Sequence, residues 1–200
     1  MLPSPFSSLP ESAVAKLNIR SGQYLFRLGE KPNGFFHLAD GEVHLVRHTE
    51  SGDVVTIHRA FSGEYFAESS LFSNAYHCDA VAQVDTQLSK IDRTQTLDFM
   101  EDNPHFSLEV SAYLARQVQD YRRLLELRSI RSAQERVLAA VADGWLRGSI
   151  MSFAAQIGLT HEATYRTLSN LVKSGQLQKI ARGRYELLNN QMCDGAIKQD

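Results

Sequence analysis

Residues 151–173 constrain the fold of this chain more than any other stretch. Residues 153–157 carry apolar side chains at helical spacing, Gly158 interrupts the run, and Thr160 is placed to cap a second helix. That second helix offers Ala163, Leu168, Leu171 and Val172 for burial and keeps His161, Glu162, Tyr165, Arg166 and Ser169 on or near the opposite face. Two short helices joined by a tight glycine turn predict a helix-turn-helix, whose second helix fits a DNA major groove. A helix, a glycine and a helix occur in many helical proteins, so the following residues decide more. Residues 176–188 read as two short strands around Arg182-Gly183-Arg184, a hairpin with a glycine turn. A basic hairpin behind a recognition helix predicts a winged helix-turn-helix with its wing at the phosphates.

The residue types match that reading. Arg166 can bridge O6 and N7 of a guanine, and Glu162 can accept from the N4 amino group of a cytosine. Thr160, His161 and Tyr165 stand beside them, facing base edges or nearby phosphates. Lys173, Lys179, Arg182 and Arg184 are expected at the DNA backbone, the last two on the wing.

Charge divides the chain in the same way. Residues 128–186 hold nine Lys/Arg against four Asp/Glu, whereas residues 1–127 hold eleven against seventeen. A basic C-terminal third beside an acidic N-terminal part suits a DNA-binding domain attached to a separate sensory or assembly domain. Composition sets only outer limits, since 43% hydrophobic and 22% charged residues are ordinary for a soluble globular chain. No apolar run approaches the roughly 20 residues of a membrane span, and the N-terminus lacks the features of a signal peptide. A cytoplasmic location is the expectation. Cys78 and Cys193 are far apart and suggest neither a disulfide framework nor a zinc cluster.

From Gly22 to Ile91 the pattern is one of short strands punctuated by glycines, with strands expected at residues 24–26, 34–38, 41–46, 54–58 and 87–91 and a hairpin tip at Ser51-Gly52-Asp53. This predicts an antiparallel, jelly-roll-like β-roll, preceded by a short helix from Pro10 to Leu17. A short helix near residues 95–101 and a break at Asn103-Pro104 follow. Residues 106–127 then run without glycine or proline, and Leu114, Val118, Tyr121 and Leu125 recur at steps of three and four. That seam suits a two-stranded coiled coil, with packing on the chain's own β-domain as the alternative. Ser132 with Glu135 forms a capping box at the start of the next helix. The expected α+β organisation is a β-roll at residues 1–103, a dimerisation helix at 104–128, the winged helix-turn-helix at 129–188, and a polar, loosely ordered tail at 189–200.

In this order the parts resemble the Crp/Fnr family of bacterial transcription regulators over roughly residues 10–188. The resemblance rests on Gly29-Glu30, Phe36-His-Leu-Ala-Asp-Gly41-Glu-Val43, Gly63-Glu-Tyr-Phe-Ala-Glu68, Ala133-Gln-Glu-Arg136, and Ile157-Gly-Leu-Thr-His-Glu162 through Arg166. It implies that Glu162 and Arg166 read a G·C pair, with DNA, a second copy of the chain and RNA polymerase as partners. His161 stands where cyclic-AMP-responsive members carry arginine, and Tyr165 is bulky where the family is small.

The family's cyclic-AMP members hold ribose and phosphate with a Gly-Glu pair and an Arg-Ser pair. Here the ligand-binding positions read Ala67-Glu68 and Cys78-Asp79. No Lys or Arg occurs between Arg59 and Lys90, although a buried phosphate needs a guanidinium or a nest of backbone donors. Cyclic AMP bound in the family manner is therefore not expected, and neither is any resident cofactor or metal. Iron–sulfur sensing needs about four cysteines, and the chain has two. Haem stays open as an alternative, through His77-Cys78 or through His37, His44, His48 and His58 on predicted strands, as does thiol sensing at Cys78. A ligand-binding regulatory subunit is a further alternative. No Gly-x-Ser-x-Gly elbow, phosphate loop or His-Glu-x-x-His helix points to catalysis, so no enzyme and no catalytic residue is expected.

Overall fold

The computed structural model describes residues 2–146 and 149–188. It divides into two compact units, Met1–Ala115 and Arg116–Asp200.

The first unit is built from two four-stranded antiparallel sheets. Strands β1 (Val14–Ile19), β8 (Thr86–Asp92), β3 (Gly34–Asp40) and β6 (Tyr65–Phe66) form one sheet in that order. Strands β2 (Tyr24–Phe26), β7 (Asp79–Ala82), β4 (Glu42–His48) and β5 (Val54–Phe61) form the other. The two-residue period of β3 explains how one strand serves two cores. Phe36 and Leu38 join Phe26, Val43, Leu45, Phe66, Ala80 and Leu88 in one core. Phe35 points the other way, into a second core with Phe6, Tyr65, Leu71 and Ile91. Phe106 and Val110 of α2 (Pro104–Ser129) close that second core. Gly41 turns β3 into β4 at φ +110°, and a Cβ there would lie 2.5 Å from Thr86 Oγ1, so only glycine fits.

The predicted strands are present, and residues 49–53 close the β4–β5 hairpin through hydrogen bonds between Thr49 and Asp53. The expected helix from Pro10 to Leu17 is not. Pro10 instead precedes a single 3-10 turn at Glu11–Ala13, and Val14 onward is strand β1. Three apolar residues at helical spacing cannot outweigh a full ladder on β8, from Val14↔Ile91 to Ile19↔Thr86. In so short a window Leu17 and Ile19 also fit an alternating pattern. Strands β6 and β7 are additional: β6 has only two residues, and β7, Asp-Ala-Val-Ala, has a single β-branched residue and no aromatic one. Helix α1 (Arg93–Asp102) starts on Asp92, whose carboxylate accepts from Gln95 N–H.

The second unit contains the end of α2, α3 (Ala133–Ala142), α4 (Ile150–Gln156), α5 (His161–Lys173) and a hairpin of β9 (Leu177–Ala181) with β10 (Arg184–Leu187). Its core joins Leu127, Val137, Ala140, Phe153, Ile157, Leu168, Leu171 and Leu177, with Trp145, Leu146 and Tyr185 packed around it. Every short helix here begins on a hydroxyl cap. Ser132 accepts from Glu135 N–H, Ser149 from Ser152 N–H, and Thr160 from Ala163 N–H. Among the described residues no helix is long and apolar enough to cross a membrane. Cys193 and the expected tail at 189–200 lie outside the described residues.

Candidate functional site

Gly158, at φ +69°, ends α4 and reverses the chain within three residues of the Thr160 cap. This geometry aims the first turn of α5 outward. His161, Glu162, Tyr165 and Arg166 are exposed, while Thr164, Leu168 and Leu171 are buried. Ala163 and Val172, expected to be buried, are only half-buried, and Thr164 takes the deepest position on that face. The reason is the angle of the buried stripe, since 164, 168 and 171 lie on one line of a 3.6-residue helix. The Thr164 hydroxyl is buried with no hydrogen-bond partner, a cost that a threonine read from sequence does not announce.

Lys173 is exposed in the last turn of α5, and Lys179 is exposed on β9. Arg182 and Gly183 form the hairpin turn, with Gly183 at φ +75°, and exposed Arg184 opens β10. The hairpin stays beside α5: Tyr185 of β10 packs against the core that Leu168 and Leu171 of α5 enter, and burial, with Tyr165 adding to it, pushes its phenol up. The exposed end of α5 and the basic hairpin therefore belong to one compact unit. Five exposed cations at positions 166, 173, 179, 182 and 184 make that surface suited to a polyanion.

The expected dimer seam divides in two. Leu114 packs against the second core of its own unit, whereas Val118, Tyr121 and Leu125 are 49%, 52% and 68% exposed. The exposed three are large apolar side chains on one helix.

In the β-roll, the two expected ligand-binding pairs are engaged by the protein itself. Ala67 adopts φ +62°, a left-handed conformation that costs a residue with a Cβ about 1 kcal/mol or more. It opens the 3-10 turn Glu68–Phe72. Glu68 is buried, and Tyr113 Oη donates to its Oε1 at 2.7 Å. Tyr113 is fixed in turn by edge contacts with Phe6 and Tyr65. Beside it, burial pushes the Glu64 carboxyl up, the Phe61 N–H bond lowers it, and the Glu68 charge raises it. Burial also holds the His58 imidazole below its ordinary value, partly offset by Glu68.

Asp79 is also buried, accepting from Leu28 N–H at 2.7 Å and from Arg27 Nη1 at 3.3 Å. The absence of a basic residue between Arg59 and Lys90 is therefore misleading as a statement about space. Segments distant in sequence bring in Arg27, just after β2, and also Arg47 on β4, whose Nε donates to the His77 carbonyl at 2.7 Å. Arg27 is already matched by Asp79. Cys78 is buried, and desolvation pushes its thiol up, partly offset by Arg47 and reinforced by Asp79. A thiol in that state is a poor nucleophile. The histidines considered for haem are dispersed: His77 bonds Ser73 Oγ, His44 bonds Glu42, and His48 lies 3.6 Å from Asp79. Among the described residues no three His, Cys, Asp or Glu side chains converge to hold a metal ion.

Comparison with known proteins agrees with this architecture. Residues 16–103 match the cyclic nucleotide-binding domain family. The chain is 28% identical over 162 residues to the cyclic AMP receptor protein of Thermus thermophilus, spanning 77% of this chain and 75% of that one. The crystal structure of the Thermus thermophilus catabolite activator protein superimposes over 92% of both chains, at 26% identity and a TM-score of 0.51. FixK2 from Bradyrhizobium japonicum shares the fold over 88% of this chain and 93% of its own, at 19% identity and a TM-score of 0.64. The chain thus carries a cyclic nucleotide-binding domain, and its structural neighbours are Crp/Fnr family transcription regulators. Glu68 and Asp79, the acidic members of the two pairs expected to bind ligand, both have protein partners.

Two further residues, Arg128 and Arg136, have partners that the sequence does not announce: both reach the α4–α5 turn. No local pattern could reveal this, because their acceptors lie 21 to 28 residues away.

Proposed function

We propose that this chain is a sequence-specific DNA-binding transcription regulator of the Crp/Fnr type, acting in the cytoplasm as a homodimer on a palindromic site and without cyclic AMP. The observation that carries the reading is the exposed first half of α5, with Glu162 and Arg166 one turn apart beside the basic β9–β10 hairpin. Helices α4 and α5 with that hairpin then act as a winged helix-turn-helix. Glu162 and Arg166 read a G·C pair, while Lys173, Lys179, Arg182 and Arg184 contact phosphates. Exposed Val118, Tyr121 and Leu125 provide the seam for a second copy, which two half-sites about one helical turn apart require.

Independence from cyclic AMP is supported by the β-roll. A cyclic phosphate entering beside Asp79 meets a carboxylate already matched to Arg27, and a ribose at Glu68 must displace Tyr113. Desolvating an anion there without a free guanidinium is unfavourable. The test is selection of genomic fragments by the purified protein with no added ligand, after its absorption spectrum has been recorded for haem. A palindromic motif with a G·C pair in each half-site is the expected result. Random, salt-sensitive binding would overturn the ligand-free reading and return attention to the β-roll.

A further inference from the structure

The α4–α5 turn is held by two guanidinium groups from outside it. The last four carbonyls of a helix lack partners within it. In α4, three of those at its end are met by backbone: Phe153, Ala154 and Ala155 accept from Ile157, Leu159 and Gly158 N–H. The carbonyls of Gln156, Ile157 and Gly158 are met instead by side chains. Arg128, in the last turn of α2, donates from Nε to Gln156 O at 3.0 Å and from Nη2 to Ala155 O at 3.2 Å. Arg136, in the first turn of α3, donates from Nη1 to Ile157 O at 3.2 Å and Gly158 O at 3.3 Å. Its Nε also donates to Ile130 O at 3.0 Å, in the link between α2 and α3. The Arg128 stem lies along the open side of Gly158, where an added Cβ would meet its Cγ at 3.4 Å.

We propose that Arg128 and Arg136 are positioning residues that tie the α4–α5 turn to the α2–α3 link, thereby setting the angle at which α5 presents its reading face. The inference rests on the DNA-binding reading above. Guanidinium suits the task because its fork reaches two carbonyls at once, and two cations at a helix C-terminus also oppose its partial negative charge. Because these donors are committed to carbonyls, they are not the residues that meet phosphate. The clamp differs in kind from the contacts assigned to Arg182 and Arg184, and also from a purely structural role, which would move stability and leave discrimination alone.

The experiment compares the full-length parent with Arg128→Met, Arg136→Met and Arg136→Lys. Affinity is measured for the selected site and for a scrambled duplex across a salt series, together with thermal melting and amide exchange at Gly158 and Leu159. Arg128→Met leaves the core untouched and keeps the test informative should Arg136→Met melt early. Each methionine variant is expected to lose about tenfold in discrimination between the two duplexes, with an unchanged salt slope, and to exchange about tenfold faster at the turn amides. Arg136→Lys, retaining the charge but not the fork, should fall between. Unchanged discrimination would overturn the positioning role, whether or not exchange at the turn quickens. So would a salt slope reduced by about one on both duplexes, the mark of a lost phosphate contact. A parent that selects no site at all sinks the DNA-binding reading instead, and the exchange rates then still decide whether the arginines hold the turn.

Discussion

At the scale of single residues, exposure and partnership separate roles that the sequence presents as equivalent. Arg166 and Arg184 are both exposed, but one projects from a helix face and the other opens the hairpin's second strand. Arg166→Ala is expected to cost about 1–3 kcal/mol on the selected site and to relax one base position, whereas Arg184→Ala should weaken every duplex alike. Equal losses on specific and random DNA for both variants would remove this assignment, and titration with labelled duplexes measures it. His58 offers a test in the β-roll. Its folded-state pKa lies below the ordinary 6.5, so the unfolded chain binds a proton that the folded chain refuses. Stability from this group is complete above pH 6.5 and is lost as pH falls through the folded value. Urea unfolding at pH 7 and pH 5.5 should therefore show His58→Gln losing less than the parent, by at most about 1.4 kcal/mol per pH unit. Identical pH dependence would mean that His58 titrates freely.

At the scale of elements, the short helices of the second unit depend on their ends. A helix as short as α4 is marginal by propensity alone and survives through caps and tertiary contact. Thr160 accepts from Ala163 N–H at 3.1 Å, which fixes where α5 begins. Thr160→Ala should destabilise the protein by about 1 kcal/mol and Thr160→Gly by only a few tenths, read from the thermal melt of each. If the two variants melt together, the cap is not what starts the helix. Strand β5 illustrates a different economy. Its far half exposes Val54, Val55 and Ile57 at the edge of its sheet, while Ala60 at the near end is fully buried. The β-branched residues there reflect strand conformation more than burial.

At the scale of the whole molecule, the proposed dimer rests on α2. A helix that leaves Val118, Tyr121 and Leu125 exposed along one side carries apolar surface that a second copy can cover. Leu125→Glu is expected to raise the dimer dissociation constant by about tenfold, equivalent to about 1.4 kcal/mol, and to weaken binding to a palindrome far more than to a half-site. Sedimentation velocity across a concentration series reads the first effect. An unchanged monomer–dimer balance would place the seam elsewhere. Leu114, already packed against its own unit's core, is the member of the expected seam least available for this purpose.

Much of the second unit could be read from the chain alone, because its determinants are local. Caps, the positive φ of Gly158 and the glycine turn at Gly183 act within a few residues, as does the helical period of α5. The glycine-spaced strands of the β-roll were legible for the same reason. What only the tertiary structure decided involves partners far apart in sequence. Residues 14–19 became a strand because β8 supplied a matching ladder. Glu68 met Tyr113 from another element, and Arg27 neutralised Asp79 across 52 positions. Arg128 and Arg136 found carbonyls whose only need was a donor arriving from outside their helix. Short-range hydrogen bonds and backbone sterics are written residue by residue, whereas the pairing of buried charges and open carbonyls depends on which surfaces the folded chain brings together.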